Sequence, residues 1–486
     1  MKRSHWLGIV ALSLTLALSV LALGTPVAQG AYHHMGESDS PNFVAVHPDR
    51  AGTKLDSCNL CHSGGSTQSG GKTASVGSCQ WCHQSYGYDG KGDIKSTLNS
   101  YGTAYLAYGR SAEAIAAMAG LDSDGDGYTN GEEIAATRYP GDPKDDPTKV
   151  PAPYRVLSRD DLEKMPQHSQ FLLMNASKST DTYSEYSGVA LEELLGKMVL
   201  PSAKSITVFS PDGFAQYHPL NPEPDSYQVY GTYPQQTFHY DDAADIDKHP
   251  RDGWVDYGAA TARGLKDGTS IDSPDGLKLL LAFKRDGKNL DPGVLNAQNK
   301  LDGEGPFRVV PPQLVPGVAD QRSTAADQKV GWPYDAKADH NAGFSTRSTT
   351  IIRVDPLPAG TTDIDTLEAG WSYVDEGKIL IYGAIDPIPT IVEKLDGMAA
   401  QLKALDGSAF NGGTSRETIV SRIEAIEAMA SAGDLAGARQ RLLEDVLGRM
   451  VSKTGGSASY LADADAQKRL YWDASDIAGL LRIALE

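Results

Sequence analysis

One pattern occurs twice in this chain, as Cys58-Asn59-Leu60-Cys61-His62 and as Cys79-Gln80-Trp81-Cys82-His83, and no other cysteine is present. In each copy two residues separate the cysteines, and a histidine follows at once. This pattern attaches a c-type haem: both thiols bond covalently to the porphyrin, and the adjacent imidazole ligates the iron. The sequence therefore predicts two covalently bound haem c groups, which organise an α-rich N-terminal domain.

Two other arrangements of the four cysteines remain open. Two such pairs with seventeen residues between them also fit a four-cysteine zinc site, or they could form two disulfides. A zinc site has no need of a histidine after each pair, and a disulfide between cysteines so close in sequence constrains little of the unfolded chain. We therefore favour haem.

Residues 1–30 have the pattern of a secretory signal peptide. Two basic residues precede an apolar run from Trp6 to Leu23, and small residues follow up to Gly30, where we expect cleavage. An uncleaved membrane anchor is the alternative, because the run is just long enough to span a bilayer. Export to the periplasm or the cell exterior agrees with haem c attachment. No later segment is apolar enough to span a membrane.

Each haem iron needs a second axial ligand or keeps an open position. After the expected cleavage site and before residue 150, the histidines outside the motifs are His33, His34 and His47. We expect His47 to be one distal ligand and His33 or His34 the other. Met35 and Met118 are alternatives, and a methionine ligand would raise the reduction potential. The alternative for His33 and His34 is a frayed terminus.

A linker rich in glycine and serine, Gly64 to Gly77, joins the two motifs. Motifs so close along the chain predict haems near enough for electrons to pass between them. The segment contains few aliphatic residues. We therefore expect it to fold around its porphyrins and not around a hydrophobic core of its own.

The run Asp122-Ser-Asp-Gly-Asp-Gly-Tyr-Thr-Asn-Gly-Glu-Glu133 matches the EF-hand calcium loop at every required position. A solvated acidic turn is the alternative. No paired second loop is evident, which favours a structural clamp over a calcium sensor, and millimolar extracellular calcium would fill even a weak site. The expected ligands are Asp122, Asp124, Asp126, Tyr128 (through its carbonyl), Asn130 and Glu133. Together with the haem motifs, this loop makes residues 31–150 resemble small calcium-loop cytochromes of the multihaem type.

A second domain is expected over residues 154–386, after a proline-rich linker. Two of its segments are Tyr186-Ser-Gly-Val-Ala-Leu-Glu-Glu-Leu-Leu195 and Gly303-Glu-Gly-Pro-Phe-Arg-Val-Val-Pro311. In this order they resemble the molybdopterin-binding domain of the sulfite oxidase family, which implies an α+β fold. The family's metal ligand is a cysteine after an early strand, but this chain has Met174-Asn175-Ala176-Ser177 there. We therefore expect no molybdopterin and no oxidase activity. Arg308 matches the family's late arginine but could equally be a surface or ion-paired residue.

Two further regions carry no cofactor pattern that we favour. Tyr217 to Tyr257 is rich in tyrosine and histidine, and we expect a loop that packs its aromatic rings on the sheet. Residues 387–486 show amphipathic helical periodicity in four runs, one opened by a capping box at Thr414 and one by Asp434. They predict a small C-terminal helical bundle with a structural or docking role.

The charge limits the choice of partners. The chain has 44 Lys and Arg residues and 63 Asp and Glu residues, a net charge of −19, which becomes −21 when Lys2 and Arg3 leave with the signal peptide. Such a charge argues against nucleic acid and anionic membranes as partners. Other redox proteins or cytochromes with basic patches fit better, and assembly of copies with one another stays open.

Three classes of function follow. The favoured one is an exported dihaem electron-transfer protein with a calcium-braced haem domain and a noncatalytic central domain for binding or scaffolding. The second is a molybdopterin-dependent oxidoreductase that passes electrons to its own haems, which the missing cysteine opposes. The third is a calcium-stabilised binding or assembly protein with auxiliary haems.

Overall fold

The computed structural model describes residues 39–51, 53–69, 72–76, 81, 85, 93–177, 179–212, 214–240, 255–296, 301–320, 334–364, 370–411, 416–450 and 460–486. In these ranges helices dominate the first and last parts of the chain, and strands dominate the middle. The predicted signal peptide lies outside the described residues. So do five predicted site residues, His33, His34, Cys79, Cys82 and His83.

Short helices and one hairpin form the N-terminal part. Its elements are α1 (Asp39–Val46), β1 (Gly65–Ser69), β2 (Lys72–Val76), α2 (Ser100–Ala107), α3 (Ala112–Met118) and α4 (Asn130–Ala135), with 3-10 turns at Pro48–Arg50, Cys58–Leu60 and Ile94–Thr97. The strands β1 and β2 pair antiparallel, with Gly65 opposite Val76. The glycine- and serine-rich linker predicted between the motifs therefore contains a hairpin.

This N-terminal part has a hydrophobic core, to which the segment of the two predicted haem motifs contributes the buried Leu60. That this segment folds around its porphyrins stays a prediction. Helices α1, α2 and α3 and the turn at Cys58–Leu60 each contribute buried side chains, and Cys61 packs against them. The apolar residues are spread in small numbers over short helices, and two are tyrosines, so no single segment looks like a core element. The buried residues are Phe43, Leu55, Leu60, Tyr101, Tyr105, Ala114, Ile115, Met118 and Ile134.

The middle of the chain contains most of the strands and four short helices. The strands are β3 (Val150–Pro151), β4 (Tyr154–Ser158), β5 (His168–Met174), β6 (Asp181–Ala190), β7 (Ser205–Phe209), β8 (Ala215–Pro219), β9 (Gln236–Thr237), β10 (Val255–Asp256), β11 (Ser270–Ile271), β12 (Leu280–Arg285), β13 (Lys288–Asn289), β14 (Val294–Leu295), β15 (Leu301–Asp302), β16 (Arg308–Val310), β17 (Ile351–Asp355), β18 (Thr361–Thr362) and β19 (Lys378–Gly383). The helices are α5 (Arg159–Glu163), α6 (Leu191–Leu195), α7 (Gly258–Ala262) and α8 (Gly370–Glu376).

Two larger sheets share one hydrophobic core. One has the order β4-β19-β17-β7-β8; in the other, β6 pairs with β5, β10 and β12, and β12 also pairs with β13 and β16. Successive residues of a strand face opposite sides. In β12, Leu281 and Phe283 enter the shared core, whereas Leu280 and Ala282 belong to a separate cluster on the other face.

The tyrosine-rich stretch packs its aromatic rings as expected. Tyr227 and Tyr233 are buried in the core between the two sheets, and Phe238 and Tyr257 are buried in a second cluster beside β5 and β6. His218 is fully buried, and its Nδ1 lies 3.1 Å from the carbonyl oxygen of Tyr227. Residues 241–254 of this stretch lie outside the described ranges.

The C-terminal part is helical. Its elements are α9 (Ile388–Ala404), α10 (Arg416–Ser431), α11 (Leu435–Arg441), a π-helical segment (Leu442–Leu447), α12 (Gly448–Met450) and α13 (Ala464–Leu485). Asp434 caps α11 by accepting a hydrogen bond from the backbone of Gly437 at 3.0 Å, whereas Thr414 is not described. The predicted helical run that begins at Asp434 is interrupted by the π-helical segment Leu442–Leu447. None of the described helices combines the length and the apolar character needed to cross a bilayer.

One buried ionic cluster joins the three parts of the chain. Lys54 of the N-terminal part donates to Asp145 and, at 3.0 Å, to the carbonyl oxygen of Asp363 in the middle part. Arg138 follows α4 and places its Nη2 3.1 Å from a carboxylate oxygen of Asp476 in α13. The side chains of Lys54, Asp145 and Arg138 are 6%, 3% and 1% exposed.

Asp145 lies at the centre of this cluster. Its carboxylate accepts hydrogen bonds from the hydroxyl of Thr362 and, at 2.9 Å, from the backbone of Tyr139, and it lies 3.9 Å from the guanidinium of Arg138. A buried cation that loses its counter-charge is costly, because water cannot reach it. Asp145 therefore holds two buried cations in place.

We expect Asp145→Asn to lower the free energy of unfolding by about 3 kcal/mol, because it leaves Lys54 and Arg138 buried without their shared carboxylate. Urea unfolding in the presence of calcium measures this. Glu424→Gln is the control: it breaks the exposed Lys403–Glu424 pair and should cost at most about 1 kcal/mol. Equal small effects of both substitutions would contradict the role assigned to Asp145.

Candidate calcium loop and haem-attachment segment

The predicted calcium loop brings its first three carboxylates together. One oxygen each of Asp122, Asp124 and Asp126 lies within 4.8 Å of the other two. Gly125 and Gly127 take φ angles of +84° and +101°, a region that favours glycine because it has no Cβ. These two turns let the chain wrap around the carboxylates.

Backbone hydrogen bonds fix the loop. Asp122 accepts from the amides of Gly125 at 2.7 Å and Gly127 at 3.0 Å, one on each oxygen. Asp126 accepts from the amide of Tyr128 at 2.9 Å through Oδ1. These bonds hold the carboxylates in place without using all of their oxygen atoms.

Four carboxylate oxygens of the loop are buried without a hydrogen-bond partner among the described residues. They are Oδ2 of Asp124, Oδ2 of Asp126 and both side-chain oxygens of Glu133. A buried carboxylate without a donor is unfavourable, and hard cations such as calcium take oxygen ligands, including a bidentate glutamate at the twelfth loop position. The residues present therefore fit a calcium ion.

The same arrangement shifts two pKa values. Burial, followed by the neighbouring carboxylates of Asp124 and Asp126, raises the pKa of Glu133 to about 9. Burial and the adjacent Asp126 raise the pKa of Asp124 to about 6. A divalent cation would relieve this repulsion and bind the deprotonated forms.

The remaining loop residues have distinct structural roles. Asn130 is fully buried; its Oδ1 accepts from Ser123 at 3.2 Å, and its Nδ2 donates to the carbonyl oxygen of Met118 at 2.9 Å. Its side chain thus ties the loop to α3, and its part as a ligand, like that of the Tyr128 carbonyl, stays a prediction. Thr129 and Glu132 form a capping box at the start of α4, which the sequence analysis missed although the residue types signal it.

The first predicted haem motif, residues 58–62, forms a compact turn. Ser57 caps the 3-10 turn Cys58–Leu60, and the amide of His62 donates to the carbonyl oxygen of Cys58 at 2.9 Å. Both cysteines and the histidine therefore lie within one turn of the chain. Cys61 is half-buried, and burial raises the pKa of its thiol to about 12.

Two polar residues that the sequence did not single out support this motif. Nδ1 of His62 lies 2.7 Å from the hydroxyl of the buried Thr97, a contact that fixes the orientation of a ligating imidazole. Asn99 caps α2 and also donates to the carbonyl oxygen of Leu60 at 3.1 Å. A Cβ at Gly102 would overlap the carbonyl oxygen of Cys61, so α2 packs directly against the motif.

His47, the first expected distal ligand, has a buried ring nitrogen without a partner. Its Nε2 makes no hydrogen bond to a described residue, and its ring lies 5.2 Å from the ring of Phe43. An orphaned imidazole nitrogen is the atom that an iron ligand requires. Met118, an alternative ligand, is fully buried in the cluster against which Cys61 packs.

In the middle part, an amide and carboxylate network fills the loop after β5, where the predicted resemblance would place the sulfite oxidase family's cysteine. Asn175 is fully buried. Its side-chain Nδ2 donates to Asp320 at 2.8 Å, and its backbone N–H donates to Oδ1 of Asn341 at 2.8 Å. The amide of Ala176 donates to Asp181 at 2.7 Å. No thiolate is available, so the donor set does not fit the family's molybdenum site.

Arg308 is an internal ion-paired residue. Its guanidinium lies 2.9 Å from Glu304 and donates to Tyr186 at 3.1 Å and to Ser345 at 2.7 Å. Of the alternatives left open by the sequence, the ion pair is therefore the one observed. These contacts connect β16 with β6.

A cavity of about 830 Å³ opens beside the Asn175 loop. Asp320, which accepts from Asn175, lines it together with Asp335 and the aromatic rings of Tyr227, Tyr233 and Phe344. Its size is within the range of small-molecule sites. The middle part thus has room for a ligand of its own.

The sequence matches no protein-family model, no curated protein and no solved structure. The resemblances to calcium-loop cytochromes and to the sulfite oxidase domain therefore stay predictions, and the residues described above carry the functional argument.

We expect Glu133→Gln to weaken calcium binding by about a hundredfold or more, because it removes the bidentate carboxylate that closes the loop. Calorimetric titration of calcium into chelator-treated protein measures this. Glu132→Gln is the matched control, since glutamine keeps the capping box and Glu132 does not face the carboxylates. Unchanged affinity in Glu133→Gln would remove this residue from the ligand set.

The same site predicts a pH dependence. Without calcium, the folded protein holds the Glu133 proton more tightly than the unfolded chain does, with pKa values of about 9 and 4.5. Stability should therefore fall as the pH rises from 4.5 towards 9, and saturating calcium should abolish this fall. Melting temperatures across this range, with and without chelator, should show a slope only without calcium. Between about pH 6 and pH 9 the Glu133→Gln variant should lack the slope in both conditions, whereas the raised pKa of Asp124, about 6, leaves a smaller slope below pH 6 without calcium.

Proposed function

We propose that this protein is an exported dihaem c-type cytochrome that transfers electrons in the periplasm or at the cell exterior. The repeated Cys-x-x-Cys-His pattern carries this proposal. The first copy supports it further, because Thr97 and Asn99 hold the motif turn and because a buried nitrogen of His47 lacks a partner.

The proposal gives each residue of the haem segment a role. Cys58 and Cys61 bond one porphyrin covalently and His62 binds beneath it, while Thr97 holds the His62 ring. The second haem takes Cys79, Cys82 and His83, and His47 with His33 or His34 supply the distal positions. When bound, haem supplies reversible one-electron chemistry.

Calcium has a structural role in this proposal. The loop leads directly into α4, and Arg138 follows three residues after that helix ends. Calcium would thus stabilise the segment that carries Arg138 into the ionic cluster shared by all three parts of the chain. The haem segment would keep a fixed position relative to the rest of the protein.

The middle part binds or positions partners in this proposal and catalyses no reaction. A molybdopterin-dependent oxidoreductase is disfavoured because the segment that would carry the cysteine of the sulfite oxidase family has none. Its Asn175 instead donates a hydrogen bond to Asp320. The net charge of −19 favours redox partners with basic surfaces. The cavity beside the Asn175 loop gives the middle part a place to bind a ligand.

We expect His47→Ala to convert one of the two haems from low spin to high spin, because the iron loses a strong-field nitrogen ligand. The optical and electron paramagnetic resonance spectra of the oxidised protein measure this. His168→Ala removes a half-buried histidine of β5 and should leave both haems low spin. An unchanged spectrum in His47→Ala would exclude His47 as a ligand.

Electron transfer itself is tested with the purified protein and defined partners. We expect the chemically reduced protein to reduce a small basic cytochrome c, more slowly at high ionic strength because salt screens the attraction. The protein should catalyse neither the oxidation of sulfite nor the reduction of nitrate. Catalytic turnover of either oxyanion would instead support the molybdopterin-dependent function.

A further inference from the structure

A pocket of about 380 Å³ lies where the N-terminal part meets α13. Three distant segments line it: residues 47–50, then Gly131, Ile134 and Ala135 of α4, and Lys468 with Arg469 on α13. The pocket thus joins the expected distal ligand His47, the helix that follows the calcium loop and the C-terminal bundle.

The pocket is positively charged in a strongly acidic chain. Arg50, Lys468 and Arg469 contribute three positive charges, and Asp49 contributes one negative charge. Neither Lys468 nor Arg469 has an ion-pair or hydrogen-bond partner in the described part of the chain. By contrast, Arg482 of the same helix pairs with Glu486 at 2.6 Å.

Arg50 is held ready for a ligand. Its Nη2 donates to the carbonyl oxygen of Ala135 at 2.8 Å, and its side chain is only 15% exposed. Its Nη2 also lies 3.4 Å from a carboxylate oxygen of Asp49. Burial lowers the pKa of Arg50, the carboxylates of Asp49 and Asp473 oppose this lowering, and Arg469 adds to it. An anion in the pocket would pair with a guanidinium that is already positioned and would offset the charges of Lys468 and Arg469.

The buried Nε2 of His47 points to a ligand independently of these charges. It has no partner among the described residues although the ring lines the pocket. A buried polar atom without a partner is unusual in a folded protein. A bound group beside His47 would account both for this atom and for the lack of an ion-pair partner for Lys468 and Arg469 among the described residues.

We propose that this pocket binds a carboxylate- or phosphate-bearing anion through Arg50, Lys468 and Arg469. One source of the anion is the propionate pair of the haem whose iron takes His47, and this version rests on the proposed function. The other source is a free anion of phosphate or dicarboxylate size. In both cases the anion fastens α13 to the N-terminal part.

The two sources make different predictions. Positive charge close to a haem favours its reduced form, which carries one positive charge fewer, so removing cations lowers the reduction potential. A propionate already in the pocket would also leave no room for added phosphate. A free anion would instead stabilise the folded protein in proportion to its occupancy.

The test uses Lys468→Gln/Arg469→Gln in the full haem-loaded protein. Both side chains are exposed on the helix surface, so the fold should persist. Spectroelectrochemical titration measures the two haem potentials, and melting temperatures are recorded with and without inorganic phosphate. Lys288→Gln/Arg482→Gln removes two charges elsewhere and serves as the control.

If the haem propionates fill the pocket, one of the two potentials becomes more negative in the double variant only, and phosphate leaves the wild-type melting temperature unchanged. If a free anion fills it, phosphate raises the melting temperature of the wild type and the control but not that of the double variant. Wild-type behaviour of the double variant in both measurements would overturn the proposal. If the purified protein contains no haem, the proposed function is refuted but the anion pocket is not. The phosphate measurement still tests the pocket in that case.

Discussion

The buried carboxylate of Asp145 determines how the parts of this protein are joined. Lys54 and Arg138 come from different segments of the N-terminal part, and both are buried against Asp145. Through Thr362 and Asp476 the same cluster reaches strand β18 of the middle part and the last helix, α13. Charges buried so deeply tolerate little displacement, because separation would leave them without counter-charge or water. The cluster therefore sets the position of the N-terminal part relative to the other two parts.

Calcium and haem extend the same principle to the rest of the N-terminal part. The loop contains a fully buried glutamate, Glu133, whose oxygens have no partner among the described residues, and His47 has a similar unpartnered nitrogen. Such atoms are unfavourable in a finished fold and become favourable when a metal binds them. The protein alone thus leaves positions that its proposed cofactors would complete. Folding, calcium binding and haem attachment are linked in this account.

Part of this structure could be predicted from the sequence. The wrapped conformation of residues 122–133 and the start of α11 at Asp434 follow from local patterns, since residue type and spacing determine them. The ionic cluster could not be predicted, because Lys54 and Asp476 are far apart in sequence and meet only through the fold. Thr97 supports His62 by a tertiary contact that leaves no sequence motif. The hairpin in the linker was missed for a different reason: its residues are small and polar, without an apolar alternation.

The central claim is that the chain carries two haems and one calcium ion. Elemental analysis of the purified native protein tests it most directly, by counting iron, calcium, zinc and molybdenum per chain. The account predicts about two iron atoms and one calcium ion, with neither zinc nor molybdenum, consistent with two attachment motifs and one loop. One zinc ion in place of the iron would show that the cysteines form a zinc site. One molybdenum atom per chain would show that the middle part is catalytic.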